Sequence, residues 1–324
     1  MVAIQTDGLT KRFGSGESGV LALDDLDLTV EEGEVFGFLG PNGAGKSTTI
    51  NILLDFIDPT AGNATVLGHD VQSESKRIRQ RTGVLPEGAE VFERLTPREH
   101  IAWVEDAKGI EADADEILET VGIADAADRK AGGFSKGMQQ RLGLGMALVG
   151  DPDLLILDEP SSGLDPTGMK EMREIIREQA AEGTTVFFSS HILSEVEAVC
   201  DRVAILSAGE LAIQDTIENL RDQNEGVCTI DVEVESMPQS LGLESVAGVE
   251  RVAVDDDTIT ATCESPSVKV DVVRRLDERA TVTDIVSEDT SLETLFERYT
   301  GTSAETSSES DESGDAASEM EVPA

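Results

Sequence analysis

Residues 40–48 read GPNGAGKST, directly after the apolar run 35–39 and before an apolar-periodic stretch at 50–57. A strand, a glycine-rich loop and a helix in this order are the context in which G-x-x-x-x-G-K-[ST] binds phosphate. A chance match is expected in roughly one chain in a hundred at average glycine usage, so we set that alternative aside. The predicted nucleotide-binding residues are Gly40, Pro41, Asn42, Gly43, Ala44, Gly45, Lys46, Ser47 and Thr48.

The residue types of this loop suit a phosphate ligand. Glycine allows backbone conformations that a Cβ would block, so successive N–H groups can point at one anion. The N-terminus of the following helix adds partial positive charge. We expect Lys46 to neutralise the β- and γ-phosphates and the Ser47 hydroxyl to be a Mg²⁺ ligand.

The chain is strongly acidic along its whole length. Its 324 residues include 66 Asp and Glu against 25 Lys and Arg, a formal charge of −41, and 39% are hydrophobic. This length and apolar content predict one large and one smaller globular domain. At about 1 M salt the Debye length is roughly 3 Å, which screens the self-repulsion, so we expect an extreme halophile and a fold that needs molar salt. A merely soluble acidic protein is the weaker alternative.

Charge, cysteine spacing and hydropathy argue against several functions. Lys and Arg form no basic stripe, which argues against nucleic acid as the main partner. Cys200, Cys228 and Cys263 are widely spaced and form no CxxC pair, so we expect packing residues in a reducing compartment, without a metal site. Neither a secretory leader nor 18 consecutive apolar residues is found, so we expect a chain that does not itself span a membrane.

Residues 1–215 alternate β-branched runs with helical patterns, which predicts an α/β domain with a mostly parallel sheet and helices on its faces. The expected buried strands are 35–39, 154–157, 184–188 and 203–206. From about residue 96 to 150 the pattern is helical throughout, which predicts a helical subdomain inserted into the sheet domain. The expected helix starts are Pro97, Asp113 and Gly137.

Residues 216–300 predict a small C-terminal α+β module of the ferredoxin-like type, in the order β-α-β-β-α-β. The expected strands are 227–234, 249–254, 258–263 and 281–285, and the expected helices are 237–245 and 267–278. Residues 301–324 are rich in Ser, Glu, Asp and Ala and contain no basic residue, so we expect a disordered acidic tail.

A second motif is the apolar run 154–157 that ends in Asp158 and Glu159. Two acids there are costly unless a cation or proton takes up the charge. Adjacent strand side chains point to opposite faces, so we expect Asp158 to face Mg²⁺ and Glu159 to face an attacking water as general base. A strand that runs into an acidic turn is the alternative.

Three further segments accompany these motifs: FSKGMQQR at 134–141, SGLD at 162–165, and His191 after an expected strand. The whole set resembles the ATP-binding cassette (ABC) ATPases, with a Walker A loop, a signature, a Walker B strand, a D-loop and a switch histidine. The resemblance covers residues 2–214. It implies a P-loop NTPase fold of the ABC type and hydrolysis of ATP with Mg²⁺.

The resemblance also implies roles for other residues. Ser135 and Gly137 would bind the nucleotide held by a second chain, with Asp165 nearby, in a head-to-tail homodimer or a heterodimer with a related ATPase. His191 would contact the γ-phosphate or the water beside Glu159, although a structural histidine is the alternative. Phe13 would stack on adenine, with a place in the core of the first hairpin as the alternative.

Two departures from the family pattern occur. Glu87 stands where most members have a glutamine, which keeps an oxygen ligand for Mg²⁺ but loses the amide donor. Residues 136–138 read KGM in place of the more usual GGQ, which adds a cation near the phosphate. Both resemble the drug- and antibiotic-export branch typified by daunorubicin-resistance ATPases, as does segment 291–300.

The resemblance predicts an ATP-binding and ATP-hydrolysing transporter subunit, cytoplasmic and peripheral on the inner face of the membrane. It would dock on separate membrane-spanning permease subunits near Glu87 and residues 94–100 and power export by dimer closure. A soluble non-transport ABC ATPase, for example in iron-sulfur cluster assembly, is the alternative. A GTP-binding switch is disfavoured because no [NT]-K-x-D segment follows the strands.

Overall fold

The computed structural model describes residues 1–14, 19–88, 90–222, 228–238, 240–243, 246–288, 296, 299 and 300. The strands β1 to β15 are Val2–Phe13, Val20–Leu26, Thr29–Glu31, Val35–Leu39, Ala61–Val66, His69–Asp70, Thr82–Leu85, Leu154–Asp158, Thr185–Ser190, Arg202–Ser207, Glu210–Thr216, Cys228–Val234, Val249–Asp255, Thr258–Cys263 and Val282–Glu288. The helices α1 to α9 are Lys46–Leu53, Ser75–Arg81, Pro97–Lys108, Ala114–Thr120, Lys136–Leu148, Pro166–Ala181, Leu193–Val199, Ile217–Asp222 and Pro266–Asp277.

A largely parallel sheet of order β11-β10-β4-β9-β8-β7 carries the nucleotide motifs. Strands β10, β4, β9, β8 and β7 run parallel, and β11 is antiparallel to β10. Every residue of β4, β8 and β9 is buried. Parallel strands covered on both faces become near-continuous apolar runs. The four buried strands predicted from sequence are therefore confirmed as β4, β8, β9 and β10.

The two faces of this sheet have different covers. Alternate strand residues point to opposite faces. Val35 and Leu39 join a cluster with helices α3 to α7, whereas Phe36 and Phe38 join a cluster with α1, α2 and a second, antiparallel sheet. That second sheet has the order β2-β1-β5-β6, with β3 paired to β1. Helices therefore lie on both faces, as expected, and the antiparallel sheet is an additional cover on one of them.

Helices α3, α4 and α5 lie between β7 and β8, where a helical insertion is expected. Thr96 forms a capping box with Glu99 at the start of α3. The Asp113 side chain caps α4, and the Ser135 side chain accepts from the Met138 N–H at the start of α5. These caps satisfy N–H groups that the first helical turn leaves unpaired. The predicted start at Pro97 is confirmed, Asp113 is the cap of a helix that begins at Ala114, and the third helix begins one residue earlier than expected, at Lys136.

The C-terminal residues form an antiparallel sheet of order β13-β14-β12-β15, and α9 covers one face of it. The four predicted strands and the helix predicted at 267–278 have counterparts within a few residues. The helix expected at 237–245 is wrong over residues 237, 238 and 240–242, which are not helical; residues 239, 244 and 245 lie outside the described ones. Gly242 has a φ of 67°, in the left-handed region that an α-helix does not accept.

The chain is described at only a few positions after residue 288. Phe296 is buried in the cluster on the helical face of the parallel sheet. The remainder of segment 291–300, apart from Tyr299 and Thr300, and the tail predicted from residue 301 lie outside the described residues. Within the described ranges, no helix combines the length and the apolar character needed to cross a membrane.

Candidate functional site

A cavity of about 330 Å³ opens at the carboxyl ends of β4 and β8. Open parallel sheets bind ligands at this edge. The lining residues come from the loop 40–48, from β2, from the segment after β7 and from the end of β8. They are Ala22, Pro41, Asn42, Gly43, Gly45, Lys46, Ser47, Thr48, Glu87, Asp158 and Glu159. Most of the residues predicted for nucleotide and metal binding therefore surround one cavity.

The loop 40–48 owes its course to glycine at two positions. Gly45 has a φ of 114°, and a Cβ there would lie 2.7 Å from the Ala22 carbonyl oxygen. A Cβ on Gly40 would lie 2.6 Å from the Leu206 carbonyl oxygen. Only glycine permits both the left-handed backbone and these close approaches. The loop then enters α1 at Lys46, so the helix N-terminus faces the cavity region.

Lys46, Glu159 and His191 form a continuous chain of polar contacts. The Lys46 ammonium donates to the Gly40 carbonyl oxygen at 2.6 Å and lies 3.5 Å from Glu159 Oε1. The other carboxylate oxygen of Glu159 lies 2.8 Å from His191 Nδ1. Lys46 and Glu159 are buried, whereas the His191 side chain is 47% exposed. Because a carboxylate only accepts, Nδ1 donates in this contact and leaves Nε2 free for another partner.

Asp158 and Glu159 line the same cavity, which corrects the expectation that they face opposite sides. Strand β8 ends at Asp158, and Glu159 has a φ of 50°. The left-handed backbone ends the strand alternation and turns the Glu159 side chain back toward its neighbour. The Glu159 N–H remains bound to the Ser189 carbonyl oxygen at 3.2 Å, so this bend is held by β9.

Oxygen donors suited to Mg²⁺ meet at the cavity. The Asp158 carboxylate, which accepts a hydrogen bond from the Ser189 hydroxyl, lies near Ser47 and Glu87 on the cavity wall. Hard oxygen ligands of this kind, supplemented by phosphate and water, are what Mg²⁺ prefers. Among the described residues, no group of three or more His, Cys, Asp and Glu could hold a metal ion. A Mg²⁺ ion here would therefore depend on phosphate oxygens or water for the rest of its shell.

Ser135, Gly137 and Asp165 lie elsewhere, since none of them lines the cavity. A Cβ on Gly137 would contact the Leu164 side chain at 3.4 Å, which places the signature beside the segment 162–165. The Asp165 carboxylate accepts from the Gly168 N–H at 2.8 Å and caps α6. These three residues thus form a second group on the same chain, at the starts of α5 and α6.

Phe13 is not a core residue. Its side chain is 43% exposed at the end of β1, opposite Val20, and the Lys11 ammonium lies 5.0 Å from the ring centroid. An exposed ring with a cation above it can stack on a planar ligand. Strand β2, which pairs with β1 here, also contributes Ala22 to the cavity wall.

Sequence reasoning missed a set of buried polar groups behind the site. Ser189 and Ser190 end the apolar strand β9 and are fully buried, and Glu195 on α7 is 5% exposed. The Ser190 hydroxyl donates to Glu195 Oε2 at 3.0 Å. The sequence contained one indication of this group. Two serines end an apolar strand, and buried hydroxyls need hydrogen-bond partners, so a buried polar partner could have been expected there.

Burial raises the pKa of the Glu195 carboxyl above its ordinary value. Hydrogen bonds from the Ser190 and Ser161 hydroxyls oppose that shift, and the Glu159 carboxylate adds to it. The negative charge of Glu159 therefore acts on Glu195, although Glu195 does not line the cavity.

Cys200 and Cys263 are buried in separate hydrophobic clusters, which confirms them as packing residues. Burial raises the pKa of the Cys200 thiol well above its usual value. The Cys228 side chain lies outside the described residues.

Comparison with known proteins agrees with this geometry. A family model described as ABC transporter matches residues 23–162. The bacitracin transport ATP-binding protein BcrA of Bacillus licheniformis is 43% identical over 224 residues, which cover 68% of this chain and 72% of that protein. The daunorubicin/doxorubicin resistance ATP-binding protein DrrA of Streptomyces peucetius is 39% identical over 224 residues, which cover 68% of this chain and 67% of that protein.

A solved structure described as the ATP binding subunit of an ABC transporter superposes with a TM-score of 0.61 and 30% identity. The match covers 68% of this chain and 92% of that one. The sequence matches are too similar and too extensive to reflect a shared P-loop alone, and they favour the transport ATPase over a soluble non-transport ATPase. The chain belongs to the ABC transporter ATP-binding proteins and is an ATPase that powers transport.

Proposed function

We propose that this ATPase drives export through separate membrane-spanning permease subunits, by ATP-driven closure of a head-to-tail dimer. The observation that carries the proposal is the contact chain from Lys46 through Glu159 to His191 at the phosphate loop. The names of two relatives, a bacitracin transport protein and a daunorubicin/doxorubicin resistance protein, support export as the direction. The protein would then lie in the cytoplasm, on the inner face of the membrane.

In this proposal the N–H groups of the loop 40–48 and the Lys46 ammonium hold the β- and γ-phosphates. Glu159 orients the attacking water and accepts its proton, and His191 Nε2 is available to the water or the γ-phosphate. Phe13 stacks on the adenine. Glu159 is suited to orient the water because its carboxylate is buried at the cavity and is held in place by Lys46 and His191.

Ser47, Asp158 and Glu87 would hold Mg²⁺, which neutralises phosphate charge when bound. Glu87 supplies a carboxylate oxygen at the position where most ABC ATPases have the amide oxygen of a glutamine. The extra negative charge strengthens attraction to a divalent cation.

Ser135, Gly137 and Asp165 act across the dimer interface, on the nucleotide held by the partner. Their absence from the wall of this chain's own cavity supports that reading. The partner is a second copy, or a related ATPase in a heterodimer. For the C-terminal residues 216–300 we propose a ferredoxin-like regulatory or dimerising module, supported by the strand order β13-β14-β12-β15.

The permease surface is proposed at the exposed aromatic pair Phe92 and Trp103, each 51% exposed and in edge-to-face contact at 5.5 Å. The Phe92 N–H donates to Nε2 of the fully buried His100, which fixes the pair a few residues beyond Glu87. Exposed aromatic side chains held rigidly are typical anchors of protein interfaces. The stretch 94–100 would lie within this surface.

We expect the chain, purified from detergent-solubilised membranes in molar KCl, to bring a polytopic membrane protein with it. Replacing both Phe92 and Trp103 by serine should reduce that recovery about tenfold while ATP hydrolysis by the isolated chain is retained. Phe56→Ser is the matched control, since Phe56 is 62% exposed in the turn after α1. Recovery of soluble partners alone would contradict the transporter role and favour the non-transport ATPase.

We also propose that the fold is adapted to molar salt. With a formal charge of −41, repulsion among carboxylates opposes folding in dilute buffer and is screened in concentrated salt. The melting temperature should rise by more than about 10 °C between about 0.1 M and about 3 M KCl. A sorbitol series of equal osmolality controls for solute exclusion, and equal melting temperatures in the two KCl solutions would contradict the proposal.

A further inference from the structure

The buried carboxyl of Glu195 lies between the two segments that carry Glu159 and His191. Glu195 is in α7, four residues after His191, and its side chain is almost fully buried. It forms no part of the cavity wall, and its hydrogen-bond partner Ser190 lies outside the loop 40–48. An ionised carboxylate is costly to bury unless hydrogen bonds or a cation compensate for its lost hydration, so the partners of Glu195 matter.

One side of this carboxyl holds the turn at His191. The Ser190 hydroxyl donates to Glu195 Oε2 at 3.0 Å and accepts from the Ile192 N–H at 3.0 Å. The Ser190 carbonyl oxygen accepts from the Gly40 N–H at 3.3 Å. Both residues that flank His191 in sequence are therefore fixed, and one of those contacts leads to the phosphate loop.

The other side of the carboxyl holds the turn after Glu159. The Ser161 hydroxyl lies close enough to Glu195 to lower the pKa of that carboxyl, and Ser161 is 3% exposed. The Ser162 N–H donates to the Glu159 carbonyl oxygen at 3.0 Å, so the turn 159–162 is a single compact unit. One carboxyl thus bridges the backbone segment of the base and the backbone segment of the histidine.

We propose that Glu195 is a positioning residue that sets the contact between Glu159 and His191 by bridging Ser161 and Ser190. The effect is geometric. Without Glu195, the turns 159–162 and 190–192 lose the buried side chain that contacts both of them, and nothing then fixes the 2.8 Å distance between Glu159 Oε2 and His191 Nδ1. A misplacement of about 1 Å at a reacting group can lower a rate by about 100-fold. The inference depends on the roles proposed above for Glu159 and His191.

The alternative is that Glu195 only stabilises the fold. The two roles differ in whether its removal lowers kcat. A positioning role predicts that Glu195→Ala lowers kcat about 10- to 100-fold with KM for ATP unchanged. Glu195→Gln keeps an oxygen and an amide that can bridge two hydroxyls, so it should restore kcat to within about threefold of the natural protein.

The test is a double-mutant cycle with His191→Ala, measured as ATP turnover of the full chain in molar KCl. If Glu195 acts through His191, adding Glu195→Ala to His191→Ala should cause no further loss of kcat. Glu34→Ala is the matched control: Glu34 is a carboxyl of 12% side-chain exposure, ion-paired to Arg202 at the opposite end of β4, and its pKa is also raised by burial. It should change the melting temperature without changing kcat.

A full additional loss in the His191→Ala background, an equal loss of kcat in Glu34→Ala, or normal kcat in Glu195→Ala would each overturn the inference. If Glu195→Ala does not fold, Ser190→Ala removes only the hydroxyl of the same bridge, and wild-type turnover in that variant would also overturn it. Normal turnover in His191→Ala would overturn the histidine's role together with this inference. A loss there without a loss in Glu195→Ala would overturn this inference alone.

Discussion

Glu159→Gln is expected to bind ATP, to form dimers when ATP is present, and to hydrolyse ATP about 100- to 10,000-fold more slowly than the natural protein. Glutamine preserves the side-chain volume and can still receive a hydrogen bond from His191, but it cannot take the proton of the attacking water. Its loss of charge also removes the negative partner 3.5 Å from Lys46, which leaves the ammonium freer to bind phosphate. ATP binding should therefore be kept or strengthened.

The measurement pairs single-turnover hydrolysis with size-exclusion chromatography in molar KCl, with and without ATP. Glu178→Gln is the matched control, because Glu178 is an exposed glutamate on α6, away from the cavity. It should behave as the natural protein. Near-normal turnover of Glu159→Gln in high salt would show that Glu159 is not the base.

Lys46→Ala is expected to weaken ATP binding about 10- to 100-fold, the usual value of a hydrogen bond to a charged group. The Lys46 ammonium is buried at the N-terminus of α1, where it donates to the Gly40 carbonyl oxygen and pairs with Glu159. Removing it also leaves the buried Glu159 carboxylate without its cation, which opposes the approach of phosphate. Hydrolysis should fall with binding.

Titration of a fluorescent ATP analogue would measure this change. Lys170→Ala is the control, since Lys170 is 76% exposed and forms an ion pair with Glu174 along α6. Unchanged affinity in Lys46→Ala would remove the lysine from the phosphate site, whereas an equal loss in both variants would point to a general effect of net charge.

The parts that could be predicted from sequence are those in which one local rule decides the structure. Strands β4 and β8 are apolar at almost every position because both faces are covered, and the loop 40–48 is defined by glycines at Gly40 and Gly45 that no other residue can replace. The packing of the antiparallel sheet that contains β1 on the parallel sheet could not be predicted. A strand with alternating apolar and polar residues has one buried face, but the pattern does not say which surface that face packs against.

The remaining differences come from tertiary contacts. The turn of Glu159 toward Asp158 depends on a backbone φ of 50° stabilised by Ser189, some 30 residues later in the chain. The role of Glu195 depends on two serines that only the fold brings to it. In 237–245 the sequence favoured a helix, but the positive φ of Gly242 interrupts one.

The order of strands β4, β9 and β8 determines which groups would move together if the inserted helices rotated. Strand β9 lies between β4 and β8, so Lys46, Glu159 and His191 all follow strands that are hydrogen-bonded to one another. Ser135 and Gly137 are carried by the helices inserted between β7 and β8. A rigid rotation of those helices would move the surface offered to a partner while the reacting groups kept their spacing. The spacing of Lys46, Glu159 and His191 within one chain is therefore set independently of the orientation of the helices that carry Ser135 and Gly137.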